Sequence, residues 1–366
     1  MPPTAPKFEF PRARSILTDA IAARAFPGCA FGVFAAGQPI VIDSLGQFTY
    51  EPDSPAVQPD TIYDLASLTK VVVTTALAML LHQEGRLDLE QPLGDLLPGF
   101  VVGRERGSAA RHITLRHLLA HNSGLPGYVE FFRTVDTPAA LFRSCLELPL
   151  NAEPGTRAEY SDPGFILFGK ALEVLKHEHL DPWAHREVFE PLGMKATGFC
   201  PPPTTRGLIP PTEEDSILRM RRIQGEVQDE NASVLDGAAG HAGLFSNVPD
   251  LLLFAAEVLT AARGNGCLFE AATIELFSQR QVPPTSCRAL GWDTPSPNSS
   301  AGRHFSPHSI GHLGYSGCSL WIDLDAHVAV VLLTNRTWPD RKSQLIREIR
   351  PAFHDAVREK LRTAAL

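Results

Sequence analysis

Asp64-Leu65-Ala66-Ser67-Leu68-Thr69-Lys70 runs directly into Val71-Val72-Val73-Thr74-Thr75-Ala76-Leu77-Ala78-Met79-Leu80-Leu81. The second stretch is apolar on nearly every face, the pattern of a buried helix. Ser67 and Lys70 stand three apart at its start. On a helix their side chains share one face about one turn apart, so the amine can take the hydroxyl proton. Burial makes an ammonium unfavourable, which predicts a lowered Lys70 pKa and a usable base. A second reading has Ser67 start or cap the helix while Lys70 snorkels to the surface. Somewhat under about one S-x-x-K is expected by chance in a chain this long, so context decides. Of the seven lysines only Lys70 has Ser three positions before it, and of the five tyrosines only Tyr160 begins a Tyr-x-Asp/Asn triplet.

On the N-terminal side, residues 11–25 carry apolar positions at helical spacing, and Phe31–Ala35 and Pro39–Asp43 read as strands around Gly37-Gln38. At the far end, Cys318–Asp323 and Val328–Thr334 are β-rich runs followed by a helical pattern over residues 338–362. Sequential strands tend to pair, so a central antiparallel sheet covered by terminal helices buries both hairpins. Between them lie helical patterns at Ser67–Gln83, Leu115–His121, Pro163–Lys176, Pro182–Phe189 and Pro249–Ala262. Val282–Phe305 reads as loop, with Gly291-Trp292 as a candidate strand fragment. The expected class is α+β. Residues 10–64 and 285–366 form the sheet with its helices, residues 65–284 form an inserted mainly helical region, and the active site lies at their junction.

The chain has 366 residues, 44% hydrophobic and 20% charged, which is ordinary globular composition. A net charge of −8 without a long basic run disfavours nucleic acid and anionic membrane surfaces. The longest apolar runs read as too short for a membrane span. Met1–Lys7 shows no apolar segment behind a basic one, so the expectation is a cytoplasmic protein, or a periplasmic one if a leader has been removed. Six scattered cysteines without C-x-x-C spacing suggest neither zinc ribbon nor disulfide scaffold.

Three motifs in order, Ser67-Leu68-Thr69-Lys70, Tyr160-Ser161-Asp162 and His312-Leu313-Gly314, resemble the S-x-x-K, Y-x-N and K-T-G or H-x-G of the beta-lactamase-related serine hydrolases. That superfamily includes class C beta-lactamases, DD-peptidases and family VIII esterases. Leu115–Leu125 and Gly240–Ser246 are similar to family stretches as well, and the resemblance spans nearly the whole chain. It implies a beta-lactamase/transpeptidase-like fold and an acyl-Ser67 intermediate. It further implies that Lys70 and Tyr160 manage the proton, that Ser67 and Tyr315 backbone amides form an oxyanion hole beside Gly314, and that no cofactor or metal takes part. Which of Lys70 and Tyr160 is the base stays open.

Two departures bear on substrate. Asp162 replaces the usual Asn, putting a carboxylate where a neutral amide is expected; it would repel anionic ligands or pair with Lys70. Its competing role is N-cap before Pro163. His312 replaces the usual carboxylate-recognising lysine and is only partly charged near neutrality. Both favour neutral esters or small amides over beta-lactam antibiotics. The alternatives are a penicillin-binding sensor that is acylated without turnover, or a DD-peptidase or D-aminopeptidase. His304, His308 and His312 are spaced by four, but Pro307 and Gly311 interrupt any helix that would gather them on a metal. His117 and His121 are read as packing or carbonyl-bonding residues. Gly314-Tyr315-Ser316-Gly317 lacks the last glycine of G-x-S-x-G, and Asp229 and Asn231 are read either as cleft-lining or as polar loop residues.

Overall fold

The computed structural model describes residues 8–283 and 285–364. Pro11–Ala22 forms helix α1, followed by strands β1 (Gly28–Ala35) and β2 (Gln38–Gly46). Near the C-terminus come β3 (Ser309–Leu313), β4 (Ser319–Asp323), β5 (Val328–Thr334) and the last helix, Ile346–Thr363. These strands make one five-stranded sheet in the order β2-β1-β5-β4-β3, every pair antiparallel. The two ends of the chain meet at the β1–β5 pair, where Cys29 faces Thr334 and Phe34 faces Ala329.

Both faces of this sheet are covered, which explains why β1 and β5 read as unbroken apolar runs. Cys29, Phe31 and Val33 of β1 and Val328, Val330 and Leu332 of β5 pack with the two terminal helices. Ala30, Phe34, Ala329, Val331 and Leu333 point the other way, into the larger core. That core includes Val248, Leu251 and Leu252 of a helix over Val248–Ala261. A buried Arg358–Asp323 ion pair at 2.8 Å ties the last helix to β4.

The helix entered at Ser67 runs through the middle of this larger core. It begins as a tight turn at Ala66–Leu68, widens to π-helical geometry over Lys70–Thr75 and finishes as regular α-helix to Gln83. Val71, Val72, Val73, Leu77 and Leu81 are wholly buried. By length and composition this segment is apolar enough to cross a membrane, contrary to the sequence reading, but 83% of it is buried inside the protein: it is a core helix. Two other expectations are corrected. The last helix starts at Ile346 rather than 338, because Trp338–Leu345 is held as loop, with Arg341 bridging Glu213 and Glu230. Gly291-Trp292 is not in a strand; the isolated pairing to β3 is made by Asp293 with Gly311.

Candidate active site

Ser67 sits on the turn between the short strand Tyr63–Asp64 and the core helix. Ala66 immediately before it has φ +48°, a left-handed conformation that costs a residue with a Cβ roughly 1–2 kcal/mol. The turn is braced: Ala66 N–H donates to Asp64 Oδ1 at 2.8 Å, and Thr69 Oγ1 donates to the Ala66 carbonyl at 2.6 Å. Neither the Ser67 nor the Tyr315 amide has a hydrogen-bond acceptor among the described residues. Tyr315 follows β3, whose end approaches the Ser67 turn through Gly314: a Cβ there would lie 2.3 Å from the Leu65 carbonyl oxygen.

Lys70 is completely buried, and its Nζ faces three acceptors: Ser67 Oγ at 3.2 Å, Asp162 Oδ1 at 2.7 Å and the His241 carbonyl at 2.9 Å. Three acceptors match the three protons of an ammonium. Burial pulls the Lys70 pKa down as expected, but the Asp162 carboxylate and the Tyr160 hydroxyl outweigh it and hold it above the ordinary lysine value. The expectation of a lowered Lys70 pKa is therefore corrected, and the cause is the carboxylate that replaces the usual amide. Asp162 is free to make this pair because it is not the cap. Ser161 is the N-cap of the helix Asp162–Lys176: its Oγ accepts from Gly164 N–H at 3.0 Å and donates to the Pro126 carbonyl at 2.7 Å.

The Tyr160 ring lies 4.9 Å from Lys70 Nζ. Its buried hydroxyl makes no hydrogen bond of good geometry, yet is close enough to Ser67 and Lys70 for both to favour its ionised form. Burial dominates and keeps its pKa above the usual tyrosine value. His121 stacks between Tyr160 and Phe165 at 4.6 and 4.9 Å, and its Nδ1 accepts from Ser161 N–H at 3.0 Å. His121 thus orients the tyrosine segment, a role sequence spacing did not reveal. His312 is buried beside Tyr160 with ring centroids 5.8 Å apart. Its Nδ1 bonds the Leu313 carbonyl at 2.8 Å. A carbonyl only accepts, so the proton is on Nδ1 and Nε2 presents a lone pair. Burial, then Lys70 and Arg288, push the His312 pKa well below that of free histidine; it is neutral rather than partly charged.

A sequence model of the beta-lactamase family matches residues 13–351, spanning the whole sheet and every residue just described. The chain belongs to the beta-lactamase family. An N-acetylmuramyl-L-alanine amidase of Bacillus subtilis is 31% identical over 310 residues, 75% of this chain and 68% of the amidase. Among solved structures, EstCE1, a hydrolase with promiscuous acyltransferase activity, superposes with a TM-score of 0.76 at 23% identity, over 95% of this chain and 98% of that one. Unliganded simvastatin synthase (LovD) from Aspergillus terreus gives 0.74 at 20% identity, over 98% and 100%. At these identities the structural likeness is one of fold, a beta-lactamase/transpeptidase architecture. The family match makes the chain a serine hydrolase of the beta-lactamase family.

This beta-lactamase-family cleft has a volume of about 810 Å³, and Ser67, Tyr160, Asp162, His312, Gly314 and Tyr315 all line it. Asp229 lines it too and bonds His241 Nε2 at 3.0 Å; although burial pushes its carboxyl up, His241 holds it down at about 2. Asn231 instead braces the 129–132 segment, bonding the Phe132 N–H and the Val129 carbonyl. Arg288 is a lining residue that sequence reading missed: its guanidinium lies 5.1 Å from the Tyr160 ring centre and 3.5 Å from Asp293. No motif marks it, since it sits in a loop far from the three motifs in sequence. His304 and His308 turn to Glu359 and Asp325, away from His312, and Ser316 is buried with its hydroxyl on the Asp64 carbonyl.

Proposed function

We propose that this serine hydrolase acts through an acyl-Ser67 intermediate on esters or small amides. The observation that carries the reading is the buried Lys70, whose amine touches Ser67 Oγ inside a cleft where two backbone amides await an acceptor. Once Tyr160 or Lys70 has given up its own proton, that group takes the proton of Ser67 Oγ as the oxygen attacks the acyl carbon. The carbonyl oxygen gathers negative charge and takes hydrogen bonds from the Ser67 and Tyr315 amides. Tyr160, which lines the cleft with Ser67, hands a proton to the leaving alcohol or amine. Water then attacks the acyl-enzyme along the same path in reverse.

Arg288 beside a neutral His312 adds a second reading, an amide or peptide that carries a carboxylate near the scissile bond; the similarity to a Bacillus amidase points the same way. The test follows a short-chain nitrophenyl ester, a chromogenic cephalosporin and a small peptide amide side by side, with the intact mass of the protein read during each reaction. Ser67→Ala is expected to abolish turnover while the protein stays folded; unchanged turnover in that variant would sink the assignment. A lasting mass adduct without turnover would identify an acylated sensor instead.

A further inference from the structure

Asp64 lies three residues before Ser67, outside all three motifs, and is 2% exposed. Both its carboxylate oxygens are spent on backbone: Oδ1 accepts from Ala66 N–H at 2.8 Å and Oδ2 from Gln228 N–H at 2.7 Å. Its carbonyl accepts from Ser316 Oγ at 2.7 Å. These partners belong to three separate pieces of the site. Ala66 is the left-handed residue that aims Ser67 and its amide. Gln228 precedes Asp229, which holds His241, whose carbonyl in turn accepts a hydrogen bond from Lys70 Nζ. Ser316 follows Tyr315, the other free amide. A buried carboxylate bonded to two amides cannot be a solvated surface charge.

We propose that Asp64 is a positioning residue for the acylation step: it locks the left-handed turn at Ala66 and sets the Ser67 and Tyr315 amides at a fixed separation. The proposal rests on Ser67 being the nucleophile. Asparagine at this position keeps the shape but offers one acceptor, and its amide N–H₂ faces the second backbone N–H. The turn then relaxes and the amides spread. A displacement of the order of 1 Å at such a site costs about a hundredfold in rate.

The experiment measures kcat and KM of Asp64→Asn on the nitrophenyl ester, with Ser67→Ala as control. The expectation is a kcat lower by about a hundredfold with KM within about threefold, the signature of an interaction made in the transition state. Adding Ala66→Gly should return at least about tenfold of that loss, because glycine takes the left-handed conformation without a brace. A folded Asp64→Asn protein with wild-type kcat overturns the proposal, as does a loss that Ala66→Gly does not relieve. If Asp64→Asn does not fold, Ser316→Ala carries the test by removing the bond to the Asp64 carbonyl; an unchanged kcat there overturns the proposal. Residual activity in Ser67→Ala would instead remove the nucleophile assignment on which it rests.

Discussion

Replacing Asp162 by asparagine isolates the effect of one charge on the proton machinery. The carboxylate oxygen is 2.7 Å from Lys70 Nζ. At an effective dielectric of about 20, two unit charges at that distance attract by about 6 kcal/mol, a gross figure that the hydrogen bond retained by asparagine partly offsets. Opposite charges this close typically move a titration by about 1–3 pH units, or about 1.4–4 kcal/mol. Asp162 raises the pKa of both Lys70 and Tyr160, so whichever of them must lose a proton does so later in wild type than in the variant. The acid limb of kcat/KM in Asp162→Asn should therefore move to lower pH by about 1–3 units. The assay is a pH profile of ester hydrolysis from pH 6 to 10 on both proteins.

Stability supplies an independent readout with a fixed sign. The folded-state pKa of Lys70 lies above its unfolded value, so the pair stabilises the fold fully below the ordinary lysine pKa. That contribution is lost as pH rises through the folded value. The Tm difference between wild type and Asp162→Asn should thus be large at neutral pH and shrink in strong alkali. An acid limb that stays put or moves upward would refute the reasoning, because no arrangement in which Asp162 holds protons on its neighbours yields it.

Tyr160→Phe should lower kcat by about 10²–10⁴-fold with KM little changed, as expected for loss of a proton-transfer group, and steady-state kinetics on the ester checks it. Arg288→Gln should leave neutral-ester turnover within about threefold but weaken a carboxylate-bearing amide by at least about tenfold, the loss expected for a partly buried charge pair; equal effects on both substrates would remove Arg288 from recognition. Gly314→Ala would place a Cβ 2.3 Å from the Leu65 carbonyl, forcing β3 off the Ser67 turn. Activity should fall by at least about a hundredfold with a modest drop in Tm, measured by thermal melt beside turnover.

The fold was legible because its signals are local. Alternating packing in β1 and β5 with both faces covered leaves continuous apolar runs, and the core helix advertises itself by being apolar all round. Ser67, Lys70 and Tyr160 could be singled out because each is the one residue of its type in its motif. What could not be read was the pairing across loops. Ser161 rather than Asp162 caps its helix, since the choice depends on a Pro126 carbonyl that lies 35 residues away in sequence. The start of the last helix depends on a similar long-range contact: Arg341 is held by two carboxylates, one from a distant hairpin and one from the short helix Glu230–Val234.

The two departures from the family pattern act together on the charge of the site. A neutral histidine in place of lysine removes one positive charge, and aspartate in place of asparagine adds one negative charge. Both therefore make the surroundings of Ser67 less welcoming to an anion, as their chemistry alone implies. Arg288 works against that trend from a loop, over the same tyrosine ring. Lys70 is committed to Asp162 and His312 is neutral, so Arg288 is left as the cation nearest Tyr160 for a substrate carboxylate to meet. Asp293 already holds it at 3.5 Å, a longer contact than a tight ion pair, and a substrate carboxylate would have to compete with that residue. On the proposed reading, a substrate carboxylate competes with Asp293 for this guanidinium, apart from the residues that move the proton, while Arg336, Arg341, Arg347 and Arg350 line the same cleft.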